Sequence, residues 1–348
     1  MTGKIETKPV EHRTRLLTRR DFLRKTTAAS LSLALGSALA KTGAYAAEAA
    51  DTAGTTTVSL IETDDREAGI SRALSLLDLE GEFAGKDILI KPNFNTADPF
   101  PASTHNDTLR KIVEELRSRD SGSITLGERS GPPPTEEVLK DKGVYQLSQE
   151  MGFDLVNFDK LPKKDLPLQK PRRSHWKNGF RVARPILEAE KIVSTCCLKT
   201  HQYGGEFTMS LKLSVGIVPR RGYNYMGELH SSPNMRKMIA EINQVYSPNL
   251  IIMDAMEVFT DGGPSSGERK RANLIVAGTD RVAVDAVGVA ILKVLGSNEE
   301  IMSEKPFQQE QIKRAAELGL GVDGPEKIDL VAEDSSRRAI DRIRSNLF

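Results

Sequence analysis

Short apolar segments alternate with amphipathic segments along most of the chain. From Val58 onward, runs rich in β-branched residues and flanked by polar residues or glycine predict strands. The predicted strands are TVSLIE, DILIKP, SITLGE, FDLVNF, KIVSTCC, NLIIMDA, ANLIVAG and KIDLVA. The segments between them, such as NDTLRKIVEELRS and DRVAVDAVGVAILKVLG, carry apolar residues at helical spacing. Near-continuous apolar strands suit a sheet that is covered on both faces, so the pattern predicts an α/β fold with a mainly parallel, helix-covered sheet.

Two segments break this alternation and predict irregular loop excursions. Residues 161–185 are rich in proline and basic residues, which favours a surface excursion or a small hairpin. Residues 219–233, PRRGYNYMGELHSSP, show no periodicity, and long irregular loops in compact domains are often functional or mobile. The chain has 348 residues, of which 39% are hydrophobic, and can therefore bury a sizeable core. We predict a single α/β domain over residues 57–348.

The first 46 residues have the features of a twin-arginine export signal. TRRDFLRK, residues 18–25, precedes the weakly apolar segment TTAASLSLALGSALA, and small residues flank Tyr45. The apolar run is shorter than the roughly 20 residues that cross a bilayer. We therefore predict cleavage after Ala46, a linker over residues 47–56, and a mature chain without a stable membrane span. The expected partner is the twin-arginine translocation machinery, and the expected location is periplasmic or otherwise exported.

Removal of this segment changes the charge balance. The chain contains 49 Lys and Arg against 48 Asp and Glu, and its first 46 residues hold nine and three of these. The remainder has 40 basic and 45 acidic residues and a net charge of −5. Such a mildly acidic body has no general electrostatic footprint for nucleic acid or anionic lipid. We predict no nucleic-acid partner, and any anion site must be local.

The two cysteines are the adjacent pair Cys196 and Cys197, within an apolar strand. An exported protein with no other thiol has no disulfide framework, and no C-x-x-C spacing supports an iron–sulfur cluster of the ferredoxin type. We interpret the pair as two buried small hydrophobic residues.

Polar side chains follow five of the predicted strands where each strand ends. In a parallel α/β sheet these ends meet at one edge, and ligands bind there. The residues are Lys91 and Asn93, Glu128, Lys199 and His201, Asp254, and Asp280. Each also has an ordinary explanation: Asn93 suits an Asx turn, and Asp280 suits a helix N-cap. Their convergence is therefore a prediction that depends on parallel strands.

The segment LKTHQYGGEFTMSLKL, residues 198–213, predicts a cationic site. Lys199 and His201 leave a strand, and Lys212 lies in a following apolar helix, where a lysine must reach water or pair with a charge. Together with Lys91, these lysines would form a cluster of three ammonium groups. Such a cluster requires carboxylates or a bound anion between its members, and three separate surface lysines are the alternative. The available carboxylates are Glu128, Asp254 and Asp285.

Asp285 interrupts the apolar helix DRVAVDAVGVAIL. An unpaired carboxylate buried in such a helix would cost several kcal/mol, so it should meet a cation, a metal or backbone donors. Farther upstream, the tract TDGGPSSGE, residues 260–268, contains small residues that allow backbone amides to approach an anion. It does not match a phosphate-binding P-loop, and a flexible surface loop is the alternative.

Several short motifs together resemble the family known as domain of unknown function 362. They are KPNFN, GERSG, LKTH with a following S-x-K-x-x-x-G, and D-A-x-x-x-x-x-D-G-G-P-x-x-G leading to AGTDRVAVDAVG. The resemblance covers approximately residues 57–330 and implies an α/β protein. Several members carry a ferredoxin-like iron–sulfur domain, whose cysteine-rich segment this chain lacks. The residues that the resemblance marks are Lys91, Asn93, Glu128, Lys199, His201, Lys212, Asp254, Gly262, Gly263, Pro264, Gly267, Asp280 and Asp285.

The leading functional hypothesis is an exported enzyme that acts on a small anionic substrate. Its catalytic residues would be Lys199, His201 and Lys212, with His201 as the general acid or base because imidazole titrates near neutrality. The expected ligand-binding residues are Lys91, Asn93, Glu128, Gly262, Gly263, Gly267 and, in the second irregular loop, His230. Asp254 and Asp285 are candidate ligands of a divalent metal, although no close metal-ligand spacing supports them. The alternatives are a non-catalytic binding or accessory protein for an anion, metal or cofactor, and a purely structural domain.

Overall fold

The computed structural model describes residues 54–348. The predicted export signal and most of the predicted linker lie outside this range. The strands of the described part are β1 Thr56–Glu62, β2 Ile88–Lys91, β3 Ile124–Glu128, β4 Asp154–Asn157, β5 Leu168–Gln169, β6 Phe180–Arg181, β7 Lys191–His201, β8 Glu206–Thr208, β9 Leu250–Gly262, β10 Gly267–Gly278 and β11 Ile328–Val331. The eight strands that the apolar pattern predicts are all among them, with boundaries shifted by one to several residues.

Helices connect most of these strands. They are α1 Arg66–Ser75, α2 Asn106–Ser118, α3 Thr135–Asp141, α4 Val144–Met151, α5 Arg184–Glu188, α6 Ser210–Leu213, α7 Tyr225–His230, α8 Met235–Ile242, α9 Arg281–Leu295, α10 Glu299–Ser303, α11 Glu310–Glu317 and α12 Arg337–Leu347. Within residues 54–348, no helix is both long enough and apolar enough to cross a membrane.

The central sheet has nine strands in the order β11-β1-β10-β9-β7-β2-β3-β4, with β8 paired to β7. Five neighbouring pairs are parallel: β1 with β11, β7 with β9, β7 with β2, β2 with β3, and β3 with β4. The predicted α/β class with a mainly parallel sheet is therefore confirmed.

Strand β10 is the exception that matters for the site. It runs antiparallel to both β1 and β9, because a hairpin joins it directly to β9. Its carboxyl end, and therefore Asp280, lies at the sheet edge opposite the ends of β2, β3 and β7. Asp280 caps α9 by accepting hydrogen bonds from the amides of Val282 and Ala283, at 2.7 and 3.0 Å. The expected convergence of five strand ends is thus wrong for Asp280, and the N-cap interpretation is confirmed.

Helices cover both faces of the sheet, and one apolar cluster lies beneath each layer. Helices α1 to α4 pack on one face, where Ile90, Leu126 and Ile252 belong to the same cluster. Helix α9 packs on the other face with Met253 and Val276. Because successive residues of a strand point to opposite faces, adjacent positions of β9 contribute to different clusters.

A third apolar cluster holds the first irregular excursion against the sheet. Within residues 161–185, β5 and β6 form a two-stranded antiparallel hairpin, as the small-hairpin prediction required. Trp176 and Phe180 from this excursion are buried against Ile239 of α8 and Ile192 of β7. The excursion is thus a packed part of the domain.

Candidate functional site

A cavity of about 60 Å³ lies at the carboxyl ends of β2, β3 and β7. This volume is several times the roughly 10–15 Å³ that one water requires, so the cavity has room for a small polar ligand. Its lining includes four cationic side chains and one carboxylate, together with two amides. These seven residues are Lys91, Asn93, Asn95, Glu128, Arg129, Lys199 and Lys212. Three parallel strands and α6 therefore bring the three predicted lysines to one place.

Lys91 and Glu128 form a buried ion pair at the ends of β2 and β3. The Lys91 Nζ lies 2.6 Å from Glu128 Oε1 and 2.6 Å from the carbonyl oxygen of Pro92. Glu128 also accepts hydrogen bonds from the amides of Phe94 and Arg129. Burial lowers the pKa of Lys91 and raises the pKa of Glu128, while their mutual attraction opposes both shifts. Among residues 54–348, the only carboxylate that lines the cavity is therefore already paired with a lysine.

Lys199 is fully buried and lacks a carboxylate partner. Its ammonium group donates to the carbonyl oxygen of Ala102, and no ion pair of Lys199 occurs in the described part of the chain. Burial lowers its pKa to about 8. The Ala102 carbonyl belongs to the loop after β2, in which the amide of Asn93 donates to Thr104 at 2.9 Å. This loop therefore holds the Lys199 side chain in place.

Lys212 makes neither a hydrogen bond nor an ion pair with any residue from 54 to 348, although it is only partly exposed. Burial, with the nearby charges of Lys199 and Arg129, lowers its pKa to about 7. Lys212 lies on α6, a single turn whose first amides, of Ser210 and Leu211, donate to Asp285 at 2.8 and 2.9 Å. This carboxylate therefore fixes the start of the helix that carries Lys212.

Asp285 therefore accepts hydrogen bonds from backbone donors. A cation, a metal and backbone donors were the three kinds of partner that the sequence predicted for it. It lies on α9, on the face of the sheet that α9 covers, and its burial raises the pKa to about 7. Asp254 lies inside β9 rather than at its end, because β9 continues to Gly262. It faces the opposite layer, where it accepts hydrogen bonds from Arg66 at 2.7 Å and from Thr108.

These positions correct the predicted metal site. Asp254 and Asp285 lie on opposite faces of the sheet, and each is bonded to donors of the protein. Among residues 54–348, no group of three or more His, Cys, Asp or Glu side chains could hold a metal ion. The two carboxylates therefore do not form a joint metal site, because Asp254 points from β9 into one layer while Asp285 lies on α9 in the other.

His201 lies beside Lys212 rather than in the cavity lining. A Cβ built on Gly205 would lie 2.8 Å from His201 Nδ1 and 3.1 Å from the Lys212 Cε, so both side chains flank this glycine. Burial and the charge of Lys212 lower the pKa of His201 to about 2, and its Nδ1 has no hydrogen-bond partner. The imidazole is therefore neutral at physiological pH. The second predicted histidine, His230, is exposed at the end of α7 and bonds the carbonyl oxygen of Met226.

The glycine tract forms the hairpin between β9 and β10. Gly262 and Gly263 have φ values of 77° and 73°, in the left-handed region that favours glycine. At Gly263 a Cβ would lie 2.0 Å from the Thr200 carbonyl oxygen, so the close approach of the hairpin to β7 also requires a glycine. Gly262, Gly263 and Gly267 shape the hairpin without lining the cavity, whereas Pro264 lines it.

Three further polar residues of the cavity lining were not predicted as site residues: Asn95 and Arg129, which lie within the motifs KPNFN and GERSG, and Thr208. Arg129 directly follows Glu128, and its guanidinium donates to the carbonyl oxygens of Val218 and Ser130. The bond to Val218 holds the segment after α6 in place. Thr208 is buried on β8, and its hydroxyl has no hydrogen-bond partner. The position of Arg129 beside Glu128 was the available signal, but nothing in the sequence distinguished Thr208 from other strand threonines. The Oδ1 of Asn93, which was predicted, is likewise buried and unpartnered.

Comparisons with known proteins identify the family. None of the curated proteins compared with this chain matches it. Among solved structures, the fold is similar to that of the lactate racemase apoprotein from Thermoanaerobacterium thermosaccharolyticum, at 13% identity and a TM-score of 0.43, over 84% of this chain and 86% of that one. The family model described as "Domain of unknown function (DUF362)" matches residues 88–290, more than half of the chain. The motifs that line the cavity fall within this match, and the chain belongs to the DUF362 family.

Proposed function

We propose that this protein is an exported enzyme that acts on a small anionic substrate bound in the lysine cavity. The observation that carries the proposal is the imbalance of charge in the lining. Four cationic side chains face one carboxylate, and that carboxylate is paired with Lys91. Lys199 and Lys212 have no counter-ion among the described residues, so an anion would supply the missing charge.

The energetic cost of this arrangement supports a ligand rather than a structural role. A buried ammonium without a counter-ion is unfavourable, and folding therefore lowers the pKa values of Lys199 and Lys212 to about 8 and about 7. Active sites are where such perturbed groups cluster. An anion held by both ammonium groups would relieve their repulsion, and Asn93 and Thr208 would use their unpartnered polar atoms on it.

The same groups suit catalysis. Ammonium groups fixed in a largely buried site stabilise negative charge that develops on a substrate during reaction. A lysine whose pKa lies near 7 exchanges its proton readily at neutral pH, which a general acid or base requires. Lys212 is therefore the better candidate for proton transfer than His201, because the imidazole stays neutral and lies outside the cavity lining.

The test is a panel of small carboxylates and phosphates, screened by thermal shift and then for turnover. A ligand that binds only the folded protein raises its unfolding temperature. Lys199→Met and Lys212→Met should each weaken binding by about 2 kcal/mol or more, roughly thirtyfold in Kd. Lys313→Met is the matched control, since Lys313 is exposed on α11. If both site variants bound a verified ligand as tightly as the control, the proposed site would be refuted.

The second candidate function is a non-catalytic protein that captures an anion and passes it on. It is favoured by the same uncompensated lysines, which bind an anion whether or not a reaction follows. Incubation of the protein with each stabilising ligand, followed by mass spectrometry of the solution, separates the two functions. An enzyme converts its ligand, whereas a binding protein returns it unchanged.

Export is proposed separately, on the basis of the sequence of residues 1–46. The twin arginines Arg19 and Arg20 are the expected recognition element. Changing both residues to lysine should leave the precursor uncleaved in the cytoplasm, whereas the native chain should be recovered from the periplasm with Ala47 as its first residue. Equal recovery of the two forms from the periplasm would refute export by this route.

A further inference from the structure

The two lysines without counter-ions differ in a way that assigns them different tasks. Lys199 is buried, and its Nζ is bonded to the carbonyl oxygen of Ala102, so its position is fixed. Lys212 lines the same cavity, and no residue of the described chain bonds its Nζ. An amine that reacts must offer its lone pair to a ligand, and an unbonded Nζ meets that condition.

Hydrogen bonds to the backbone around Lys212 hold its amine at the cavity. Its helical turn is anchored from below by the carboxylate of Asp285 through two backbone amides. Arg129 bonds the carbonyl oxygens of Val215 and Val218, just after this turn. The unpartnered atoms of Asn93 and Thr208 also line the cavity. A ligand there meets one fixed cation, one free amine and at least two polar groups.

We propose that Lys212 forms an imine with a small 2-oxo acid whose carboxylate is bound by Lys199. This inference rests on the proposed anion site and names its substrate class. A 2-oxo acid has an anionic carboxylate directly beside an electrophilic carbonyl carbon. One ligand can therefore bind Lys199 through its carboxylate and react with Lys212 at its carbonyl carbon. The cavity of about 60 Å³ has room for a small acid of this class.

The reaction requires no further reagent. The Lys212 amine adds to the carbonyl carbon to form a carbinolamine, and the amine proton moves to the carbonyl oxygen. The hydroxyl of the carbinolamine then leaves with the remaining N–H proton as water, and a carbon–nitrogen double bond joins the acid to Lys212. A lysine imine of this kind withdraws electrons from the carbon next to the imine carbon, which eases loss of a proton from C3 of the bound acid.

The state of the amine fits this role. Burial and the charges of Lys199 and Arg129 lower the pKa of Lys212 to about 7. About half of the Lys212 amines are therefore neutral at pH 7, against roughly one in 2,500 for an ordinary lysine of pKa 10.4. A neighbouring cationic group and a desolvated pocket are the two known means of activating a lysine nucleophile.

Trapping with a reductant tests the inference on the purified full mature chain. Pyruvate and sodium cyanoborohydride are added at pH 7, and peptide mass spectrometry follows the labelling of each lysine. Hydride from the reductant and a proton from water convert the imine into a stable 1-carboxyethyl amine. Lys212 should be labelled at least about tenfold faster than the exposed Lys313, because far more of its amine is neutral. Oxamate, which has the shape of pyruvate but an unreactive amide carbonyl, should suppress the labelling of Lys212 alone.

The outcomes separate this inference from the proposed function. If oxamate raises the unfolding temperature and Lys212 is nevertheless labelled no faster than Lys313, imine formation is refuted while the anion site stands. If oxamate and the wider anion panel have no effect and labelling is uniform, both proposals fail. Lys212→Arg keeps a positive charge but cannot form the imine. It should lose the fast labelling, and persistence of a fast site in this variant would also refute the assignment.

Discussion

Replacing Lys212 with methionine should stabilise the protein at low pH. Methionine is close to lysine in shape and has no charge to desolvate. Because Lys212 makes no hydrogen bond within residues 54–348, the change leaves no partner unsatisfied. The pKa of Lys212 falls from 10.5 to about 7 on folding. At 1.36 kcal/mol per unit, the shift corresponds to an upper limit of about 5 kcal/mol. Part of the side chain is accessible, so we expect roughly 2–3 kcal/mol after allowance for solvent screening.

The pH dependence gives this prediction its sign. Below pH 7, Lys212 is charged in both the folded and the unfolded protein, and its full desolvation cost lowers the stability of the wild type. Between pH 7 and 10.5 the unfolded chain binds a proton that the folded protein does not, so wild-type stability rises with pH. Lys212→Met lacks this contribution. Its advantage should therefore be greatest at pH 6 and less than half as large at pH 9.

Urea unfolding at pH 6 and pH 9 measures both quantities. The fluorescence of Trp176, the only tryptophan of the chain and a buried residue, reports the transition. Lys313→Met, on the exposed face of α11, controls for the general effect of removing a positive charge. The reasoning is refuted if Lys212→Met is no more stable than the wild type at pH 6, or if its advantage is the same at both pH values.

Three further predictions concern the cavity. The affinity for a non-reactive anion should fall about tenfold per pH unit above pH 7, because Lys212 loses its proton, and more steeply above pH 8, because Lys199 then loses its own. Calorimetry between pH 6 and 9 measures the affinity, and a constant value would contradict the prediction. Gly216→Ala should weaken anion binding, because the added Cβ would lie 2.9 Å from the Lys91 Nζ and displace the ion pair; unchanged affinity would show that the pair tolerates the shift. Asp285→Ala should lower the unfolding free energy by about 1–3 kcal/mol, because it leaves two buried amides without an acceptor. Asp285→Asn should lower it less, because it keeps one acceptor oxygen. Equal effects of the two variants in urea unfolding would argue against the anchoring role of Asp285.

The sequence predicted the elements of the sheet and most of the site for one physical reason. Strands buried on both faces must be apolar throughout, so a polar residue at their end is conspicuous. Lys91, Glu128 and Lys199 stood out in this way, and the structure brings all three to one cavity with Lys212. The motifs of the DUF362 family lie on the same segments, and the family match over residues 88–290 agrees with them.

The local pattern of apolar and polar residues does not determine the direction of a strand in the sheet. A buried apolar strand has the same composition whether it runs parallel or antiparallel, and only the hairpin at residues 262–267 reverses β10. That reversal moves Asp280 to the opposite edge of the sheet, where it caps a helix. In the same way, Asp254 was placed at a strand end because LIIM appeared to stop there, whereas β9 continues to Gly262.

The sequence by itself determined the α/β class, the eight predicted strands and four of the charged residues that line the cavity, Lys91, Glu128, Lys199 and Lys212. Only the tertiary structure decided which charges have partners. Lys91 meets Glu128, Asp285 meets two backbone amides and Asp254 meets Arg66, while Lys199 and Lys212 keep no carboxylate among the described residues. Pairing depends on the faces and layers to which side chains from distant segments point, and these are set when the sheet assembles. The uncompensated lysines, and with them the proposed chemistry, therefore follow from the packing of the sheet.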